Sequence, residues 1–205
     1  KKPALYGGIA AAVLVVFLAI GILTDGGGSG RDDGPPLRQS AVASITINGQ
    51  EYSTNERELE LDSMGLTDAD VEDLKYMINL TYLSLRGNNI TDLSFLTDMT
   101  GLQELELGDG NSGISDLSPL SGLTELRWLG LPPQSQITDL SPLTNLTKLE
   151  GLYSSGNWGS TPGYITDLSP LSGLTNLTEL NLYTGVITDL SPLSGMTKLQ
   201  RIQLY

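Results

Sequence analysis

The 205-residue chain carries 11 Lys and Arg against 24 Asp and Glu, for a formal charge of −13, and contains no His and no Cys. That composition excludes an imidazole base, a thiolate nucleophile, a His or Cys zinc site and any disulfide. It also argues against nucleic acid as a partner, because phosphate-backbone affinity rests on clustered cations.

In chain order, the first segment, residues 1–24, has no charged side chain after Lys2 until Asp25, and Leu5 to Leu23 is almost wholly apolar. As a helix rising about 1.5 Å per residue, that stretch reaches roughly 28 Å, close to the hydrocarbon thickness of a bilayer. A retained transmembrane anchor through residues 3–24 is the expectation. A cleaved signal peptide is the competing reading, but no small-x-small cleavage site follows Ile22. Lys1 and Lys2 place the N-terminus in the cytoplasm by the positive-inside rule, so the remainder is expected outside the cell. Residues 25–43 then bring a Gly-Ser run and Pro35-Pro36, the composition of a flexible tether.

Residues 44–89 read as a cap and the first divergent repeats. Ile45 to Tyr52 alternates around Asn48-Gly49, the pattern of a β-hairpin. Leu59-Glu60-Leu61 supplies a first strand. The stretch from Ala69 to Ile78, with Val71, Leu74, Met77 and Ile78 three or four apart or adjacent, predicts a short amphipathic helix whose apolar face includes all four.

From residue 90 to 205 one sentence is repeated. The string Ile-Thr-Asp-Leu-Ser-Pro-Leu, with small departures, starts at Ile90, Ile114, Ile137, Ile165 and Ile187, so the periods are 24, 23, 28 and 22 residues. Each copy runs into Leu-Thr-x-Leu-x-x-Leu-x-Leu, a spacing that marks leucine-rich repeats. In such a unit Leu180 and Leu182 turn inward from a short strand, while Glu179, Asn181 and Tyr183 turn outward. One unit cannot bury its leucines alone, so stacking is required. The Asp, Ser and Pro of each copy read as the start of a tight helical turn and not as chemistry.

This unit resembles the short-repeat leucine-rich domains of bacterial internalin-like surface proteins, over roughly 160 positions from Ser44 onward by the same period argument. The resemblance implies an α/β leucine-rich repeat solenoid: short parallel strands on a concave face, 3-10 turns on a convex face, an N-terminal hairpin and helix cap, and protein binding as the usual role. The chain stops at Leu204-Tyr205 without a polar cap, so the last repeat is expected to be truncated.

Candidate partner-binding residues are those the strands turn outward: Tyr82, Arg86, Glu104, Glu106, Trp128, Tyr153, Glu179 and Tyr183. Trp128, Tyr153 and Tyr183 are expected to form one aromatic stripe, which is either a binding surface or a cover over neighbouring strands. Trp158 joins the candidates because it lies in the Gly/Ser insertion of the longest repeat, at a loop on a rigid scaffold. The acidic positions read mainly as a solvated face. They are unevenly spread, with 3 Lys/Arg and 15 Asp/Glu in residues 41–117 against 4 and 6 in residues 118–205. Glu104 and Glu106 stand, on this reading, on an open face without a pocket, so no enzyme activity is expected. Gly108 to Gly113 has alternating oxygen side chains but lacks the closing Glu of a calcium loop. No metal or cofactor is expected. The function expected is membrane-anchored, extracellular recognition of a protein or peptide, with a structural subunit of a larger surface assembly as the alternative.

Overall fold

The computed structural model describes residues 42–133, 135–154 and 165–205. Strands β1 (Ser44–Ile47) and β2 (Gln50–Ser53) form an antiparallel hairpin, and the turn between them places Asn48 at φ 49 and Gly49 at φ 78. Two consecutive left-handed residues make the turn whose twist matches the paired strands, and Asn-Gly is the pair that tolerates it best. Ile45 and Ile47 point into the core while Thr46 stays exposed, which seats the hairpin on the end of the solenoid.

A seven-stranded parallel sheet follows in simple chain order: β3 (Glu58–Glu60), β4 (Tyr82–Ser84), β5 (Glu104–Glu106), β6 (Trp128–Leu131), β7 (Gly151–Ser154), β8 (Glu179–Leu182) and β9 (Arg201–Leu204). Registers are unbroken, so Leu59, Leu83, Leu105, Leu129, Leu152, Leu180 and Ile202 fall in one row. Except for Ile202 at the edge, these side chains are buried and belong to one continuous core from Ile45 to Met196. That is the energetic reason for repetition: the inward leucine of one coil is covered by the leucines of the next.

The return path of each coil is a 3-10 turn, at Ser94–Leu96, Ser118–Leu120, Ser141–Leu143, Ser169–Leu171 and Ser191–Leu193. The repeated Asp two residues ahead explains why the turn starts there. Asp116, for example, accepts from Ser118 N at 2.8 Å and from Ser118 Oγ at 2.8 Å, and Asp92, Asp139, Asp167 and Asp189 do the same in their own coils. The aspartates, as expected, serve the scaffold.

One expectation about the first half is corrected. The helix predicted to Ile78 is a four-residue α-helix, α1 (Asp68–Val71), that tightens into a 3-10 turn over Glu72–Tyr76. Val71, Leu74 and Met77 are three apart, which matches three residues per turn, so all three are buried and Ile78 is left 54 % exposed. The loop around Gly108 to Gly113 is organised by an inward asparagine. Asn111 Oδ1 accepts from Ile90 N while its Nδ2 donates to Leu85 O and Leu107 O. One coil earlier, Asn88 Oδ1 accepts from Met64 N and Leu66 N, and its Nδ2 donates to Leu61 O and Leu85 O. Both are almost fully buried, and each satisfies backbone groups that a bend inside the core would otherwise orphan.

Among the described residues no helix is long and apolar enough to cross a membrane. The anchor expected at residues 3–24, the tether up to residue 41 and Trp158 lie outside the described residues.

Candidate functional site

Because β-strand side chains alternate, the positions between the buried leucines stand on the face of the sheet away from the core. The register arranges them in rows. The first row is Glu58, Tyr82, Glu104, Trp128, Gly151, Glu179 and Arg201, and the second is Glu60, Ser84, Glu106, Gly130, Tyr153, Asn181 and Gln203. Arg86, Tyr183 and Tyr205 stand one step further along, past the ends of β4, β8 and β9. All the described candidates, from Tyr82 to Tyr183, are therefore on one face.

The expected aromatic stripe is corrected. Trp128, Tyr153 and Tyr183 stand in three different rows, so they run diagonally, and each leans on something different. Trp128 lies over Gly151, where an added Cβ would meet its Cε3 at 2.2 Å. Tyr153 leans the opposite way, across Gly130, and its hydroxyl donates to Glu106 Oε1 two strands off. Tyr183 stacks on Tyr205 with ring centroids 5.3 Å apart. Trp128 and Tyr153 thus cover neighbouring strands while their remaining surface faces outward, half-buried. The geometry shows the covering role of these two side chains directly.

Glu106 is the larger departure. It was expected on an open, solvated face, yet it is 6 % exposed. A Cβ on Gly130 would lie 2.3 Å from Glu106 Oε2 and 3.3 Å from Tyr153 Cε2, so the glycine makes the space in which the carboxylate and the ring meet. Among the described residues Oε2 has no hydrogen-bond partner. Burial pushes the Glu106 carboxyl above the ordinary range, against the opposing pull of the Tyr153 hydroxyl and the Arg86 charge. Burial, and then the bond to Glu106, pushes the Tyr153 hydroxyl well above an ordinary tyrosine. The residue that sequence reasoning missed is Gly130. A glycine in an outward position between two large polar neighbours was the available signal, since a strand seldom gives up a side chain there without a close approach.

The rest of the face is sorted by charge. Asp62 accepts from Ser84 Oγ and from Arg86 N at 2.9 Å, and Arg86 Nη2 is 3.1 Å from Asp109 Oδ2. Glu179 is paired with Arg201 at 2.9 Å. Glu58, Glu60 and Glu104 have no ion-pair partner among the described residues. The β3 to β5 end of the face is accordingly an unneutralised acidic trough that ends against Trp128. A separate cavity of about 510 Å³ is lined by α1 and the 3-10 turns Glu72–Tyr76 and Ser94–Leu96, including Asp68, Glu72, Lys75, Asp92, Phe95 and Asp98. Burial raises the Asp68 carboxyl, but hydrogen bonds from Asp92 N and from Thr91 outweigh it and hold it below its ordinary value, so this acid is already committed to the scaffold.

A family model described as leucine-rich repeats (2 copies) matches residues 78–122. A crystal structure of internalin C2 from Listeria monocytogenes is similar over 72 % of this chain at 36 % identity, with a TM-score of 0.62. The chain thus carries leucine-rich repeats and is similar to internalins. A second Listeria monocytogenes structure, that of an internalin designated InlF, is 32 % identical over 77 % of the chain with a TM-score of 0.60. A leucine-rich-repeat protein of Leptospira interrogans is 26 % identical over 65 % of the chain, with a TM-score of 0.51. The chain spans 60 % and 51 % of the length of the two internalin structures. A search of curated proteins gave no match. Internalin-like repeat proteins generally take part in protein binding and recognition.

Proposed function

We propose that this chain is a membrane-anchored, extracellular recognition module that binds a protein or peptide along the open face of its sheet, which the resemblance makes concave. The observation that carries the reading is the pairing of Trp128 with an unneutralised acidic trough on a face that the core does not need. A half-buried Trp beside unpaired carboxylates, with a rigid sheet beneath, has the composition of a binding hot spot and its steering charges. Binding rather than catalysis is the proposed mode, supported by a composition without His or Cys. The apolar residues 3–24, with Lys1 and Lys2 before them, support the anchor and its direction.

The test has two parts. The full chain, held in neutral detergent, is used to capture partners, and the captured protein is then titrated against Trp128→Ala. An affinity loss of about 2 kcal/mol or more with an unchanged melting temperature supports the face, whereas unchanged affinity removes it. Protease added to intact cells is expected to digest the repeats. Repeats that stay protected, or that appear free in the medium, contradict the proposed topology.

A further inference from the structure

We infer that the partner presented to this face is a basic peptide segment, and that one Lys or Arg side chain of it is received by Glu106 in the notch over Gly130, beneath the ring of Tyr153. The inference rests on the proposed binding face and specifies the chemistry of its occupant.

Two independent observations carry it. The first is the trough: Glu58, Glu60 and Glu104 lie in the two rows leading to the notch without an ion-pair partner among the described residues, while Arg86, the nearest cation on that stretch, is engaged by Asp109. The second is the unspent acceptor. Glu106 is more than nine-tenths buried, Tyr153 satisfies only Oε1, and Oε2 lies above the backbone of Gly130 without a donor among the described residues. A buried carboxylate oxygen left unpaired is costly, and the cost is removed by whichever donor reaches it. A cationic N–H donor gains both the hydrogen bond and the charge, whereas an acidic or apolar side chain gains neither. Trp128, two residues before Gly130 on β6 and half-buried, adds aromatic surface on the same face for a cation's stem or head.

Tyr153 is the cover. Its Cε2 stands 3.3 Å from the point where a Gly130 Cβ would be, so the ring roofs Oε2 and its hydroxyl holds the roof down on Oε1. The incoming donor must tip the ring aside and exchange the Tyr153 hydroxyl for its own N–H groups. Tyr153 therefore competes with the ligand, and Glu106 receives it, which gives the two residues opposite signatures.

The probes are hexa-arginine, hexaglutamate and a neutral Gly-Ser hexapeptide, titrated into the full chain in neutral detergent. Hexa-arginine is expected to bind, with Glu106→Gln weakening it about tenfold or more and Tyr153→Phe strengthening it severalfold. Glu72→Gln, which removes the same charge from the turn after α1, is expected to change it by less than about twofold. Folding is checked by the melting temperature of each variant. If Glu106→Gln and Glu72→Gln weaken binding equally, the attraction is bulk charge and the inference is overturned. It is equally overturned if Tyr153→Phe weakens binding, or if hexaglutamate or the neutral peptide binds as well as hexa-arginine. A captured partner that depends on Trp128 but ignores Glu106→Gln leaves the binding face standing and removes this inference alone.

Discussion

At the scale of single residues, the molecule separates polar groups that complete the scaffold from polar groups left over. Asn88 is of the first kind. Its amide meets Met64 N, Leu66 N, Leu61 O and Leu85 O, so Asn88→Ala leaves several buried backbone groups without partners and is expected to cost roughly 3 kcal/mol or more by denaturant melts. A cost below about 1 kcal/mol would mean that water replaces the amide. The repeated aspartates are also scaffold, and they titrate accordingly. Hydrogen bonds from the following Ser N and Oγ hold Asp116, Asp167 and Asp189 below the ordinary carboxylate range, so their contribution to stability is present above that range and lost as pH falls through their lowered values. Glu106 has the opposite sign. Its raised value means that the folded chain binds the proton more readily than the unfolded one, so its contribution is largest at low pH and is lost as pH rises through the raised value. Glu106→Gln is expected to flatten the loss of stability above about pH 4.3, the ordinary glutamate value, in melts across a pH series. A variant whose melts track the parent at every pH would show that this carboxylate is solvated after all.

At the scale of elements, the repeat made most of the fold legible. The strands, the 3-10 turns and the hairpin follow from leucine spacing, the Asp-Leu-Ser-Pro string and Asn48-Gly49, all of which are local signals. What was not legible depended on what lies beside a residue across the sheet. Glu106 looked like any outward carboxylate until β7 brought Tyr153 over Gly130, a relation spanning 47 positions in the chain. The three aromatics looked like one stripe because their strands are successive, but each sits at a different place within its strand. Ile78 was misplaced for a smaller reason: a period of three, set by Val71, Leu74 and Met77, was read as a period near 3.6. Stability should also vary by element. Strand β9 lies at the sheet edge with Arg201, Ile202 and Gln203 exposed, whereas β6 is paired on both sides and Leu129 is fully buried. Amide exchange is expected to be at least tenfold faster in β9 than in β6, because each coil is held mainly by its neighbours. Equal protection of β9 and β6 would contradict this ordering.

At the scale of the whole molecule, one face of a rigid parallel sheet carries acid at its β3 to β5 end and aromatics beyond it, and the sequence has a net charge of −13 with most of the imbalance before residue 118. Such a field attracts a cationic partner at long range and is screened by salt, so association with a basic partner is expected to slow by about tenfold or more between low and physiological ionic strength while dissociation changes little. An association rate indifferent to salt would contradict an acidic docking face. The most direct test of the central claim is carboxyl footprinting of the chain with and without its captured partner. The account predicts that Glu58, Glu60 and Glu104 on the open face lose labelling on binding while Glu72 and Asp98, on the helix and turn side, keep theirs. Protection of Glu72 and Asp98 with the three open-face glutamates still labelled would contradict it.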